Sequence, residues 1–197
     1  MKKGVLITII AIAVIAVWAI SYGIKSNNTM VTMEEEVKTA WSQVENQYQR
    51  RAELIPNLVA TVKGYAAHEN ETLQGVVNAR AKASQTTIDP ENITPEAMQQ
   101  YQAAQGELSQ ALGRLMVTVE RYPDLKANEN FQMLQTQLEG TENRIAVERQ
   151  RYNESTRTFN TYIRKFPRSI VANMLSFDQK PYFEARDGAD IAPVVEF

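Results

Sequence analysis

The chain of 197 residues is 44% hydrophobic, carries a formal net charge of −2, and has no cysteine and one histidine, His68. So balanced a charge supplies no field for nucleic acid, and no nucleic-acid partner is expected. The cysteine and histidine counts exclude disulfides, thiolate metal sites, a cysteine nucleophile and multi-histidine metal sites. No metal and no cofactor are expected, and the composition leans against an enzyme. Eight Gly and seven Pro are too few for a turn-rich all-β protein.

Lys2 and Lys3 precede an uncharged apolar run from Gly4 to Ile24, interrupted by hydroxyl side chains at Thr8, Ser21 and Tyr22. About 20 helical residues at 1.5 Å each cover the roughly 30 Å hydrocarbon core of a bilayer. Trp18 and Tyr22 lie toward the far end, where amphipathic rings favour the interface. Residues 1–25 therefore read as an uncleaved transmembrane anchor. A cleaved signal peptide shares the basic start, but this run exceeds the usual apolar core of such a signal. It offers only Ala19 and Ser21 as a weak cleavage pair. Lys2, Lys3 and the terminal amine outweigh Lys25 until Lys38 is counted. That favours the N-terminus inside a cell (inner) membrane and the rest of the chain on its extracytoplasmic side.

Residues 26–31 read as a short polar linker. Thr32 then opens a capping box with Glu35, and Glu34, Glu35 and Glu36 suit the positive end of a helix dipole. Val37, Trp41, Val44, Tyr48, Ile55, Leu58, Val62 and Tyr65 follow in steps of three and four, with Arg51 in the one gap. This is the seam of a helix packed on other helices. It is expected to run from about 33 to 67, roughly 50 Å. A shorter helix is expected from a cap at Asn70 to Ser84 or Gln85. The stretch 86–94 is a loop by its Asp89-Pro90 turn chemistry. Thr94-Pro95-Glu96 restarts a helix whose seam is Met98, Tyr101, Gln105, Leu108, Leu112, Leu115, Val119 and Tyr122, stopped by Pro123. Asn128 caps the last and longest helix. Its seam is Phe131, Leu134, Leu138, Thr141, Ile145, Glu148, Tyr152, Ser155, Phe159, Tyr162 and Phe166, and Pro167 ends it. Ser169–Leu175 is one further short helix, and Phe177–Phe197 a docked or loose tail.

The expected fold is all-α: an elongated antiparallel helical bundle of three long helices and one short one, on a single N-terminal transmembrane helix. The divisions are 1–25 anchor, 26–31 linker, 32–168 bundle, and 169–197 short helix with an aromatic and acidic tail.

The stretch AWSQVENQYQRRAELIPNLVATVKGYAAHE, Ala40 to Glu69, closely resembles the signature of the LemA family of bacterial membrane proteins. LGRLMVTVERYPDLKANENFQMLQTQLEGTENRIAVERQRYNESTRTFN, Leu112 to Asn160, is similar to the family's second half. The resemblance covers essentially the whole chain. It implies a single-pass membrane protein with a soluble helical bundle and no established activity. No nucleotide-binding loop or kinase-type histidine domain accompanies it.

Three residues stand out from the pattern. Pro56 lies inside the first helix, cannot donate to the carbonyl of Ala52, and reads as a built-in kink or alternatively as a hinge beside a binding groove. Arg51 and Glu148 both occupy seam positions, and a charge facing a core must be paired or reach water. They are expected to meet as a register-setting ion pair, with a polar site for an acidic ligand as the alternative. His68 with Glu69 and Glu71 is a weak ligand set and reads as a turn. Arg164, Lys165 and Arg168 form a basic cluster, which an up-down-up-down bundle returns to the lipid surface.

No catalytic residues emerge from this pattern. The leading function is a membrane-anchored scaffold or interaction protein without catalytic activity, tied to the bilayer by its N-terminal helix. Its partner is an unknown membrane or envelope protein, or a further copy in a homo-oligomer. The alternatives are a ligand or envelope-state sensor using the Pro56 kink and, behind it, an enzyme of unknown reaction.

Overall fold

The computed structural model describes residues 2–66 and 68–184, among which six helices and no strand occur. They are α1 (Lys2–Tyr65), α2 (Asn70–Gln85), α3 (Pro95–Val119), α4 (Pro123–Lys126), α5 (Glu129–Arg164) and α6 (Arg168–Met174). The part of the expected tail beyond 184 lies outside the described residues.

The first correction concerns the linker. No joint interrupts 26–31: α1 is one helix of 64 residues. The segment is polar but contains neither Pro nor Gly, so nothing in it breaks the backbone ladder. Ser26 and Met30 are buried, which ties the segment to the protein interior. The hydroxyls of Thr29 and Thr32 donate to the carbonyls of Lys25 and Asn28, one turn back, at 3.0 Å each. Thr32 is thus an interior helix residue bonding backward, and the capping box goes unused. At about 1.5 Å per residue α1 is roughly 96 Å long.

Start and stop chemistry works as read at two other places. Thr94 Oγ1 accepts from the Ala97 amide at 3.1 Å, and Asn128 Oδ1 from the Phe131 amide at 3.0 Å. Asn70 is already helical, with Glu69 in the cap position. Pro123 stops α3 and also opens the short α4, whose Leu125 is buried.

α1 and α5 lie side by side in opposite directions. The ring pair Trp41–Tyr152 and the ion pair Arg51–Glu142 share one register, ten residues up α1 matching ten residues down α5. α2 and α3 fold back beside the later part of α1. There Ile55, Leu58 and Val62 pack with Leu73, Val76, Leu108, Leu115, Phe131 and Leu134 in one buried cluster. A second cluster lies lower on α1, where Met30, Val37, Trp41 and Val44 meet Tyr101, Tyr152, Phe159, Ile163, Ala172 and Phe183. α2 contributes nothing to that second cluster; α6 and the segment after it take its place.

The α5 seam drifts. Phe159 is buried as expected, but Ser155 and Tyr162 are only half-buried and Phe166 is 81% exposed, while Thr156, Asn160 and Ile163 turn inward. A straight helix rotates about 20° per heptad against a strict 3.5-residue repeat, so five heptads accumulate about 100°, one residue's step. After α6, Ser176 takes a left-handed backbone (φ 59°) and the chain turns back along α5.

Candidate functional site

The polar centre of the molecule is Arg51. Its place on the α1 seam, between Tyr48 and Ile55, drives the side chain inward, and it is 1% exposed. Nη1 donates to Ser109 Oγ at 2.9 Å and to Glu142 Oε1 at 2.5 Å. Nη2 donates to Gln105 Oε1 at 2.7 Å and to the Gln105 carbonyl at 3.3 Å. The guanidinium carbon lies 5.1 Å from the centroid of the Tyr48 ring. Gln105 Nε2 in turn donates to the Ala83 carbonyl at 3.4 Å. One planar cation therefore connects α1, α3 and α5 directly, and α2 through Gln105. A guanidinium suits this because its fixed fork of donors meets several acceptors at once.

The expected partner, Glu148, is corrected to Glu142. Glu148 lies about 9 Å farther along α5 than Glu142 and, in the observed register, level with Glu45. Its Oε1 accepts from Arg151 at 2.8 Å on the same helix. With Glu35, Glu36 and Arg151 it borders a surface groove of about 930 Å³ between α1 and α5. The reasoning that Arg51 needs an acid on the last helix holds; the seam position chosen for that acid does not. Glu142 sits beside the seam residue Thr141, and its side chain is 33% exposed, so it reaches in from the rim.

Pro56 is exposed and does not end α1. The carbonyl it leaves free, that of Ala52, accepts from Arg80 Nε of α2 at 2.7 Å. A guanidinium on the neighbouring helix replaces the missing amide donor. Sequence reasoning identified the orphan acceptor and missed its donor, because Arg80 carries no local signal beyond its charge. Beside it Glu45, Tyr48, Gln49, Tyr101 and Gln105 line a cleft of about 270 Å³.

Around Trp41, Tyr101, Tyr152 and Phe183 close an aromatic box, with ring centroids 5.2, 5.7 and 5.7 Å from the indole. Burial pushes the Tyr152 phenol up to about 12. Burial first, and then Tyr48 and Glu45, also raise that of Tyr101. Both stay neutral at ordinary pH and act as packing groups. Sequence reasoning also missed the clamp beside them. Asn153 and Asn160 each exchange two hydrogen bonds with the extended segment, on the backbones of Phe183 and Lys180, at 2.8–3.0 Å. Tyr152 Oη donates to the Pro181 carbonyl at 3.0 Å, and Lys180 Nζ pairs with Glu34 at 2.7 Å. The available signal was Asn160 beside Phe159, an amide on an apolar face, which needs a buried partner.

His68 is exposed in the turn after α1, while Glu69 accepts from the Tyr122 hydroxyl at 2.9 Å and Arg121 at 3.0 Å. Among the described residues no three acidic or histidine side chains converge to hold a metal. Arg164 and Lys165 are exposed at the end of α5, and the Arg168 guanidinium sits 4.1 Å from the Tyr162 ring centroid. Directly beyond them α6 lies against the upper end of the apolar stretch of α1.

Arg51 and Glu142 fall inside the two stretches quoted above, with Gln105 and Ser109 between them, and the LemA family profile matches residues 40–197, from one turn before Val44 through all of α2 to α6. The chain belongs to the LemA family. Two proteins of Paramagnetospirillum magneticum, magnetosome proteins MamQ 1 and MamQ 2, are each 29% identical over 185 residues, 85% of this chain and 68% of theirs. Magnetosome protein MamQ of Magnetospirillum gryphiswaldense is 28% identical over 213 residues, 99% of this chain and 78% of its own. Protein LemA of Metamycoplasma hominis is 26% identical over 160 residues, 81% of this chain and 69% of its own. This LemA-family chain is all-helical among its described residues. Its α1 is long and apolar enough at its start to cross a membrane, and none of that window is buried in the protein.

Proposed function

We propose that this chain is a membrane-anchored scaffold, an elongated antiparallel helical bundle without catalytic activity that presents its helices to another membrane or envelope protein or to a second copy. The observation that carries it is α1 itself. Its first third is apolar and exposed, with Ile12 61% and Trp18 63% open, while its later two thirds form a wall of both buried clusters. A solvent-facing run of that length and composition fits a lipid environment better than water. Continuity of the helix then joins the span to the bundle with no loop between them. Both Nη atoms of Arg51 are spent on Gln105, Ser109 and Glu142, which suits a fixed register rather than turnover. The relatives' names denote a magnetosome or a family and state no reaction, which supports the same reading. Lys2 and Lys3 favour a cytoplasmic N-terminus and an extracytoplasmic bundle in the inner membrane.

A Pro56-based sensor has less support. Ile55 and Leu58, on either side of Pro56, are fully buried, and the freed carbonyl is already held by Arg80. Crosslinking of the full chain in native membranes, followed by a pull-down and a protease-accessibility assay for sidedness, tests the scaffold reading. A reproducible crosslinked partner or homo-oligomer, with the bundle cut only from outside, is the expected result. A chain that crosslinks to nothing at physiological abundance overturns it.

A further inference from the structure

α6 is not spent on the core. Only Ala172 of its residues is buried, with Val171 packed against the second cluster. The opposite side is apolar and open: Phe166 is 81% exposed, Ile170 53%, Met174 78% and Leu175 50%. Isolated exposed apolar side chains are ordinary, but a contiguous set with aromatic neighbours marks an interaction surface. This set has a defined neighbour. Ile170, Met174 and Leu175 share with Trp18, Tyr22 and Ile24 of α1 a groove of about 700 Å³ that is almost wholly apolar.

Depth follows from helix geometry. From Gly4 to Ile24, about 21 residues at 1.5 Å give roughly 31 Å, the thickness of a hydrocarbon core. Ile24 then stands at the outer boundary, Tyr22 about 3 Å and Trp18 about 9 Å beneath it. The apolar side of α6 lies beside those residues and so falls at the boundary between acyl chains and headgroups. Burial inside the protein begins at the same height, where Ser26 is 3% exposed. Cations frame the patch: Lys25 on α1, Arg164 and Lys165 just before α6, and Arg168 at its start, with Asp178 the next acid along the chain. An apolar stripe bordered by Lys and Arg is the pattern of a segment lying in the interface.

We infer that α6 and its flanks are a second membrane contact, in which Phe166, Ile170, Met174 and Leu175 insert into the outer leaflet that surrounds Trp18 and Tyr22. This rests on reading residues 4–24 as a span. The chain is a foot with two soles: the span fixes position, and α6 fixes how the bundle is rotated about the span. The basic residues lie at headgroup level and strengthen the contact on anionic lipid, while the insertion itself is apolar.

The absence of native cysteine allows a direct depth measurement on the full chain. Single variants Ile12→Cys, Ile170→Cys, Met174→Cys and Met133→Cys are spin-labelled in phosphatidylethanolamine–phosphatidylglycerol vesicles. Collisions with oxygen, which partitions into lipid, are compared with those of a water-soluble nickel chelate. Ile12, mid-span, and Met133, exposed on α5 at the far end, set the lipid and water limits. Labels at 170 and 174 are expected on the lipid side, with oxygen-to-nickel ratios several-fold above that at 133. If 12 is lipid-like and both 170 and 174 match 133, the second contact is refuted while the span stands. If 12 itself is water-like, the span reading falls and this inference falls with it.

Discussion

Exchanging Glu142 for Gln separates the observed network from the ion pair that heptad position suggests. Arg51 is 1% exposed and Glu142 33% exposed at the side chain, so the pair is buried at one end only. Removing one partner of a fully buried pair costs about 3–5 kcal/mol, because the other charge is left uncompensated. Two features lower that figure. Water reaches Glu142, and Arg51 keeps Ser109 and both oxygens of Gln105. A loss of about 2 kcal/mol is expected, which for a domain of this size lowers Tm by roughly 4–8 °C. Glu148→Gln removes only an i,i+3 pair with Arg151, whose side chain is 67% exposed, so about 0–0.5 kcal/mol is expected. Helical circular dichroism of the full chain in detergent, followed on heating, measures both. The double variant Arg51→Met with Glu142→Leu should regain most of the loss, since an apolar pair of similar volume replaces the desolvated ions. Equal melting shifts for the two Glu→Gln variants, or a larger shift for Glu148, would refute the reasoning.

Arg80→Ala should cost about 1–2 kcal/mol by stranding the Ala52 carbonyl. The same change in a Pro56→Ala background, where the amide donor returns, should cost far less; additive losses in this double-mutant cycle would disprove the compensation. Phe183→Ala removes a ring stacked at 5.7 Å on Trp41 and frees the 177–184 segment. Its effect is capped by that segment's own docking energy, so limited proteolysis should show early cleavage there while the helical melt moves by only a few degrees. Tyr152, pushed up to about 12 by burial, has a folded pKa above the unfolded value near 10. Its contribution is intact below about pH 10 and is lost as pH rises toward 12. Tyrosinate absorbance of Tyr152→Phe should therefore match the parent up to about pH 10 and lack one late-titrating group above it.

The helical class was legible because period and punctuation agree over long stretches. Seven of the eight α1 seam positions, Val37 to Val62, are buried, and Thr94 and Asn128 cap as read. What escaped had tertiary causes. A capping box at Thr32 specifies a helix start only where the preceding residues leave the helix, and burial of Ser26 and Met30 kept them in it. The slow drift of α5 moved Phe166 out and Ile163 in, a cumulative effect that no local window contains. Arg51 announced that it needed a partner, yet the choice between Glu142 and Glu148 depended on the α1–α5 register, which is set by rings such as Trp41 and Tyr152. Arg80 and the two clamping asparagines act on backbone atoms distant in sequence. Side-chain type alone does not reveal such contacts.

The uninterrupted α1 changes what the polar centre is for. With a flexible linker at 26–31, motion of the apolar stretch would be absorbed before it reached Arg51. Without one, rotating or tilting the apolar stretch turns the whole α1 face that Trp41, Tyr48 and Arg51 occupy. Rings such as Trp41 and Tyr152 select one register by shape, but an apolar face can repack when its register shifts. A guanidinium held by Ser109, Gln105 and Glu142 cannot, since each slipped register leaves a buried cation without its acceptors. The network is therefore best placed where it is found, near the middle of the paired α1 and α5. There it holds both buried clusters to one register.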